Sequence, residues 1–254
     1  MSGLGLERIR IGELAVDRVT FEGALDAIDE LVRKKQGGLV FTPNVDHVVQ
    51  VEHDLRFRAA YAAASLSLVD GKPLLWAARL LKTPLPEKIS GSDLVMPLLR
   101  RAAERNYGVY FLGGSPGAGE LAKEKLERDQ PGIRIVGIDS GRISVDAAPE
   151  VQRPILDRIV AAKPDLLLVA LGAPKQEIWS FEQRAHLGPT VVVGVGASLD
   201  FIAGTLKRAP RWMSDSGLEW AYRLAQEPRR LATRYLLRDP AFLRIVARQM
   251  RAGN

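Results

Sequence analysis

The chain has 254 residues, 46% hydrophobic and 26% charged, with formal net charge +6 and no cysteine. That length and apolar content suit one sizeable core with an appendage, and the missing cysteines exclude disulfides and thiolate metal sites and fit a reducing compartment. The opening MSGLGLERIRIGELAVD has no signal-peptide core, and no run approaches the ~18 uninterrupted apolar residues of a spanning helix, so the expected location is cytoplasmic, with peripheral contact to the inner face of the plasma membrane left open.

In chain order, Ile9–Thr20 reads as a small antiparallel hairpin and Phe21–Lys35 as a helix. Strand-like runs follow at Leu39–Thr42, Leu66–Val69, Val109–Leu112, Ile133–Ile138, Leu166–Leu171 and Val191–Val195. Between and after them, helical periodicity covers Asp46–Ala64, Ser92–Arg105, Ala118–Arg128, Pro149–Ala162 and Lys175–Leu187. This alternation predicts an α/β fold: a doubly wound, Rossmann-like parallel sheet with helices on both faces. The near-continuous apolar runs LLLVALG and TVVVGVG suit strands buried on both sides.

After Leu206 no strand signal remains, and Pro228 and Pro240 divide the segment into two or three short helices. The expected division is a catalytic α/β domain over 1–206 and a basic helical C-terminal appendage over 207–254. The appendage carries eleven Lys and Arg against four Asp and Glu, a balance of +7, which leaves −1 for residues 1–206. Such asymmetry points to an anionic partner: nucleic acid, acidic lipid or a phosphorylated substrate. Tyr222, Leu224, Leu231, Tyr235, Leu236, Phe242 and Ile245 alternate with arginines, a pattern suited to an anionic membrane surface. Packing of the same apolar faces on the body, or between subunits of a homo-oligomer, is the alternative.

In doubly wound sheets, ligands bind outside the carboxyl ends of the strands. Four such ends carry polar or glycine-rich loops: Thr42-Pro43-Asn44, Asp70-Gly71, Gly113-Gly114-Ser115-Pro116-Gly117 and Gly172-Ala173-Pro174-Lys175-Gln176-Glu177. Gly113 and Gly114 let a backbone approach a phosphate at a helix N-terminus, or simply make a tight turn. Lys175 and Gln176 stand where an anion would meet a helix start, though PKQE with Glu177 favourable to the dipole is also just a good start. Asp70 is placed to act as a general base on a hydroxyl, although an isolated Asp at a strand end is more often a turn or cap residue. Asp46 and His47 adjoin Asn44, where helix capping equally explains Asp46. His47, His53 and His186 lack metal spacing, and His47 and His53 read as surface or site-edge residues.

Gly194-Val195-Gly196 has Leu199 where a dinucleotide fingerprint needs its third glycine, which disfavours a nicotinamide enzyme; G-x-S-x-G and Walker sequences are absent. A nucleotide- or nucleic-acid-binding protein using the basic tail is the rival class, but no helix-turn-helix or RNP-like sequence accompanies the arginines, so no nucleic-acid partner is expected.

FTPNVDHVV, LVDGKPLLW, EKISGSDL, VYFLGGSPG, PDLLLVALGAPKQEIW, GVGASLDFIAGTLKRAPRW and GLEWAYRLAQEPRR follow one another in that order. Together they resemble the WecG/TagA/CpsF glycosyltransferase family (glycosyltransferase family 26) from about Ile11 to Leu237. The resemblance implies an inverting enzyme that uses no metal and no cofactor. Its donor would be a UDP-sugar of the N-acetylmannosamine, N-acetylmannosaminuronate or glucose class. Its acceptor would be a saccharide on polyprenyl diphosphate, in cell-surface polysaccharide synthesis. It implies Asp70 as catalytic base with the polar pair Thr42 and Asn44 beside it. Gly113, Gly114, Gly172, Lys175 and Gln176 fall on the donor side, and Arg223 and Arg230 on the diphosphate. Departures are Lys88, Ala197 and Leu199, and Thr233 with Arg234 beside it, where the family has arginine, glycine, phenylalanine and arginine.

Overall fold

The computed structural model describes residues 4–252 apart from 142, 145, 211, 214–218 and 227; of residues 219, 223, 229–231, 235 and 237 only the backbone is described. An antiparallel hairpin, β1 (Arg8–Ile11) and β2 (Leu14–Asp17), opens the chain and forms its own sheet. The main sheet has six parallel strands in the order β4-β3-β8-β7-β5-β6. They are β3 (Gly38–Phe41), β4 (Leu66–Ser67), β5 (Gly108–Gly113), β6 (Arg134–Asp139), β7 (Leu166–Ala170) and β8 (Val191–Gly194). The sheet and its two covered faces are those expected.

Strand residues alternate between two cores. Leu39, Phe41, Tyr110, Leu112, Leu167, Val169 and Val192 face one, and Val40, Val109, Phe111, Leu168 and Val193 face the other. The second core is covered by α1 (Phe21–Lys34), α5 (Gly91–Glu104) and α6 (Ala118–Asp129). The first is covered by α2 (Val45–Val51), α3 (Leu55–Ala62), α4 (Lys72–Leu80), α7 (Pro149–Ala162) and α8 (Lys175–Leu187). A short α9 (Ser198–Ala203) follows β8. Both faces therefore need apolar residues along every central strand, which is why the strand sequences read as continuous runs.

The expected helix Asp46–Ala64 is two helices. Asp54 accepts from the Phe57 N–H at 3.0 Å and starts α3 afresh, because a capping carboxylate there satisfies a new helix start better than continuation does. Helices α4 and α9 stand where no helix was expected. The segment Lys72–Leu80 carries a proline at its start, and Ser198–Ala203 is only six residues long.

In the appendage, α10 (Glu219–Gln226), α11 (Pro228–Thr233) and a single π turn (Arg234–Arg238) precede α12 (Ala241–Ala252). The breaks fall at the prolines, as expected. Phe242, Ile245 and Val246 of α12 are buried in the same core as β1, β2 and α2. Phe242 and Ile245 thus cover the body rather than face lipid: β1 and α2 present apolar side chains that this helix shields from water.

Candidate functional site

At the carboxyl edge of the sheet, β5 leads through α6 over one face and β7 through α8 over the other, so their loops part and leave a crevice between them. Gly113 ends β5 at φ +92°, and a Cβ there would lie 2.7 Å from the Ala170 carbonyl oxygen, so only glycine lets these strand ends close up. The Gly114 N–H donates to that same carbonyl (2.9 Å) and the Ser115 N–H to buried Asp200 Oδ1 (3.2 Å). Two amides of the glycine loop are thus engaged within the protein, and an anion would have to meet the later amides at the start of α6. Gly172 has open space where a side chain would be. Lys175 begins α8 exposed to solvent, beside the cis Ala173–Pro174 bond, whereas Gln176 is buried.

Thr42, Asn44 and Asp70 come together at the ends of β3 and β4, where the Asp70 N–H donates to the Pro43 carbonyl at 2.8 Å. Gly71, not Asp70, occupies the N-cap position of α4. Thr42 is buried against the first turn of α5, where a side chain on Gly91 would meet its Oγ1 at 3.2 Å. Asn44 caps α2, accepting from the Asp46 N–H at 3.1 Å.

Behind these residues lies a buried polar cluster. His47 is 4% exposed, not at the surface; its ring stacks on Phe57 at 5.5 Å and meets the edge of Tyr61. Its Nδ1 accepts from the Asn44 backbone N–H (3.2 Å) and lies 2.8 Å from Asn44 Oδ1, while Nε2 is 3.5 Å from Glu177 Oε1. Glu177 is wholly buried instead of standing in solvent at the helix start. The Gln176 Nε2 donates to Glu177 Oε1 at 2.8 Å, and the Gly196 N–H donates to Gln176 Oε1 at 3.1 Å. Gly194 leaves the space: a Cβ there would be 3.0 Å from Gln176 Nε2. Burial first, then the negative charges of Glu177 and Asp70, push the Tyr61 phenol well above its ordinary value.

The appendage reaches this cluster through its π turn. Arg234 Nη2 donates to Asn44 Oδ1 at 2.9 Å and its Nε lies 3.3 Å from Asp46, which Arg238 also meets at 3.2 Å. Asp239 closes the turn; burial pushes its carboxyl up to about 6, against the pull of Arg234 and with the push of Asp46. Arg208 enters from the other end of the appendage and pairs with Asp93 at the start of α5, where Ser90 and Lys88 also converge. Burial raises Asp93, but the Ser90 and Arg208 hydrogen bonds and the Lys88 charge outweigh it and hold the carboxyl at about 2. The side chains of Arg223 and Arg230 lie outside the described residues.

Sequence reasoning placed Glu177 in a strand-end loop but missed its burial, and it missed Tyr61 and Arg234 as site neighbours. Five consecutive residues of α8, Gln176–Ser180, are buried, so helical periodicity carries no mark there. Arg234 stood out as one of a row of arginines with Arg230 and Arg238, one place beyond the family's usual position, and not as a partner of Asn44. Among the described residues no group of three or more potential ligands could hold a metal ion.

The model of the Glycosyl transferase WecG/TagA/CpsF family matches residues 9–254. An N-acetylglucosaminyldiphosphoundecaprenol N-acetyl-beta-D-mannosaminyltransferase of Bacillus spizizenii is 34% identical over 221 residues, covering 87% of this chain and 82% of that relative.

Proposed function

The chain belongs to the WecG/TagA/CpsF family of glycosyl transferases, and from that premise we propose that it moves a sugar from a UDP-sugar to a saccharide on polyprenyl diphosphate, with inversion at the anomeric carbon. The observation that carries this reading is the meeting of Asp70, Thr42 and Asn44 at adjoining strand ends, on the carboxyl edge of the sheet where doubly wound folds bind their ligands. The relative's name supplies the expected substrate class: an N-acetylmannosaminyl group onto N-acetylglucosaminyl diphosphoundecaprenol.

Inversion requires one displacement. Asp70 takes the proton of the acceptor hydroxyl as that oxygen bonds to the anomeric carbon; the bond to the UDP oxygen breaks, and UDP leaves with the electron pair. On this reading the departing diphosphate is met by fixed donors: the N-termini of α6 and α8, Lys175 at the rim, and Arg223 and Arg230 from the appendage. Thr42 and Asn44 orient the acceptor, and Gln176 with the glycines Gly113, Gly114 and Gly172 shapes the donor side.

The appendage, taken as residue 207 onward, is proposed to rest on anionic lipid. In support, α12 turns a stripe of Leu243, Ala247 and Met250 to solvent, with Arg244 and Arg251 beside it. No helix among the described residues is long and apolar enough to cross a membrane. Elsewhere Arg208, Arg234, Arg238 and Arg248 are occupied by carboxylates of the body, which leaves the nucleic-acid reading less basic surface than composition alone suggests.

The test is a panel of UDP-N-acetylmannosamine, its uronate and UDP-glucose with a polyprenyl-diphosphate N-acetylglucosamine acceptor, with and without EDTA. Mass spectrometry reads transfer, and NMR of the product reads the anomeric configuration. Transfer with inversion that survives EDTA is expected; binding of UDP without transfer from any donor would overturn the reading.

A further inference from the structure

We propose that Glu177 is a positioning residue that orients both amide side chains of the site, Gln176 directly and Asn44 through His47; this rests on the transferase reading above. A glutamate in the first turn of α8 has an inexpensive place in solvent, near the positive end of the helix dipole. Here it is 0% exposed, and its Oε2 has no hydrogen-bond partner among the described residues. Burying a carboxylate is costly, and stability alone is served as well by an apolar side chain of the same size. The arrangement of its neighbours shows what the carboxylate does.

Glu177 Oε1 accepts from Gln176 Nε2 at 2.8 Å, while Gln176 Oε1 accepts the Gly196 N–H at 3.1 Å. Turning that amide over would set oxygen against carboxylate and NH2 against N–H, so these two partners fix its sense. The same Oε1 stands 3.5 Å from His47 Nε2, where the carboxylate charge favours a proton on that nitrogen. The ring is clamped by Phe57 and Tyr61. Its Nδ1 lies within hydrogen-bonding distance of both the Asn44 backbone N–H and Asn44 Oδ1, its role toward each set by the protonation of the ring, and that Oδ1 also accepts from the Asp46 N–H and from Arg234. Asn44 is thereby held with its NH2 as the end available to a ligand, beside Pro43 and Asp70. One carboxylate thus sets two amides along the carboxyl edge of the sheet, one after the end of β3 and one after the end of β7. Arg234 extends the same chain of contacts into the appendage.

The experiment uses the full chain and the transfer assay described above. Glu177→Met removes the acceptor and keeps the size; kcat/KM is expected to fall about tenfold or more, as when a group that orients a site residue is lost. Glu177→Gln keeps an acceptor oxygen and restores most of the activity. In an Asn44→Ala, Gln176→Ala background Glu177→Met costs nothing further, because the groups it orients are gone. Long-range proton–nitrogen NMR of His47, one of three histidines, shows a protonated Nε2 in wild type and Glu177→Gln and a redistributed tautomer in Glu177→Met. Wild-type kcat/KM in Glu177→Met, or losses that multiply in the combined variant, would overturn the proposal. If Glu177→Met does not fold, His47→Leu with Asn44→Ala forms the equivalent cycle. If wild type itself transfers no sugar, the transferase reading fails, and the His47 tautomer still decides whether Glu177 orients the ring.

Discussion

Asp70 bears the chemistry on the proposed reading, and its replacement separates chemistry from fold. Asp70→Asn keeps the size and the Asp70 N–H contact to Pro43, so thermal melting should match wild type while turnover falls on the order of 10²–10⁴-fold. Turnover near wild type would remove Asp70 as the base. Asp239 gives a pH signature. Its folded value of about 6 exceeds the ordinary carboxylate value near ~3.9, so the native state favours the protonated form. The stability this contributes is full below the unfolded value and is lost as pH rises through about 6. The melting temperature should therefore decline across that window, and Asp239→Asn should flatten the decline; an equal slope in the variant would show that other groups cause it. That Asp70, Thr42 and Asn44 lie at strand ends and Gln176 at the start of a helix was legible from the sequence, since the apolar runs end just before them. Glu177 and His47 were legible only as a helix-start residue and a site-edge residue, because their burial depends on how α2, α3 and α8 meet, which no local pattern encodes.

Helix α12 shows how an element can be identified while its facing is misread. Its apolar and arginine rows were plain, but Phe242 and Ile245 turn to the body and Leu243 and Met250 to solvent. Packing rather than charge holds it there. The Arg248–Glu52 pair at 2.7 Å joins a side chain 63% exposed to one 9% exposed, so solvent screens it and it adds little. Phe242→Ala should cost about 3 kcal/mol in urea unfolding, and Arg248→Ala much less. The reverse order would mean that α12 is held by its charges. The split of Asp46–Ala64 into α2 and α3 has the same lesson: Asp54 was a capping residue inside a run that otherwise read as one helix.

For the whole molecule, the parallel sheet follows from alternation alone, but the strand order that places β5 beside β7, and so locates the crevice, depends on long-range pairing that composition does not reveal. The membrane proposal is also tested at this scale. Leu243→Glu should weaken sedimentation with vesicles of anionic lipid and leave calorimetric UDP binding unchanged, since Leu243 is 71% exposed and supports no core contact. Unaltered vesicle binding would place the lipid-facing surface elsewhere.

Gln249 joins distant parts of the chain: its Nε2 donates to the Arg10 carbonyl at 3.0 Å, and the Gly12 N–H donates to its Oε1 at 2.9 Å. The hairpin is therefore sealed by a helix that follows 237 residues later along the chain. While the ribosome still holds the residues near 249, Ile9 and Ile11 lack the cover of Ile245 and Val246, and Asn44 lacks Arg234. The site is therefore completed only once α12 has emerged, and until then the hairpin stays partly uncovered.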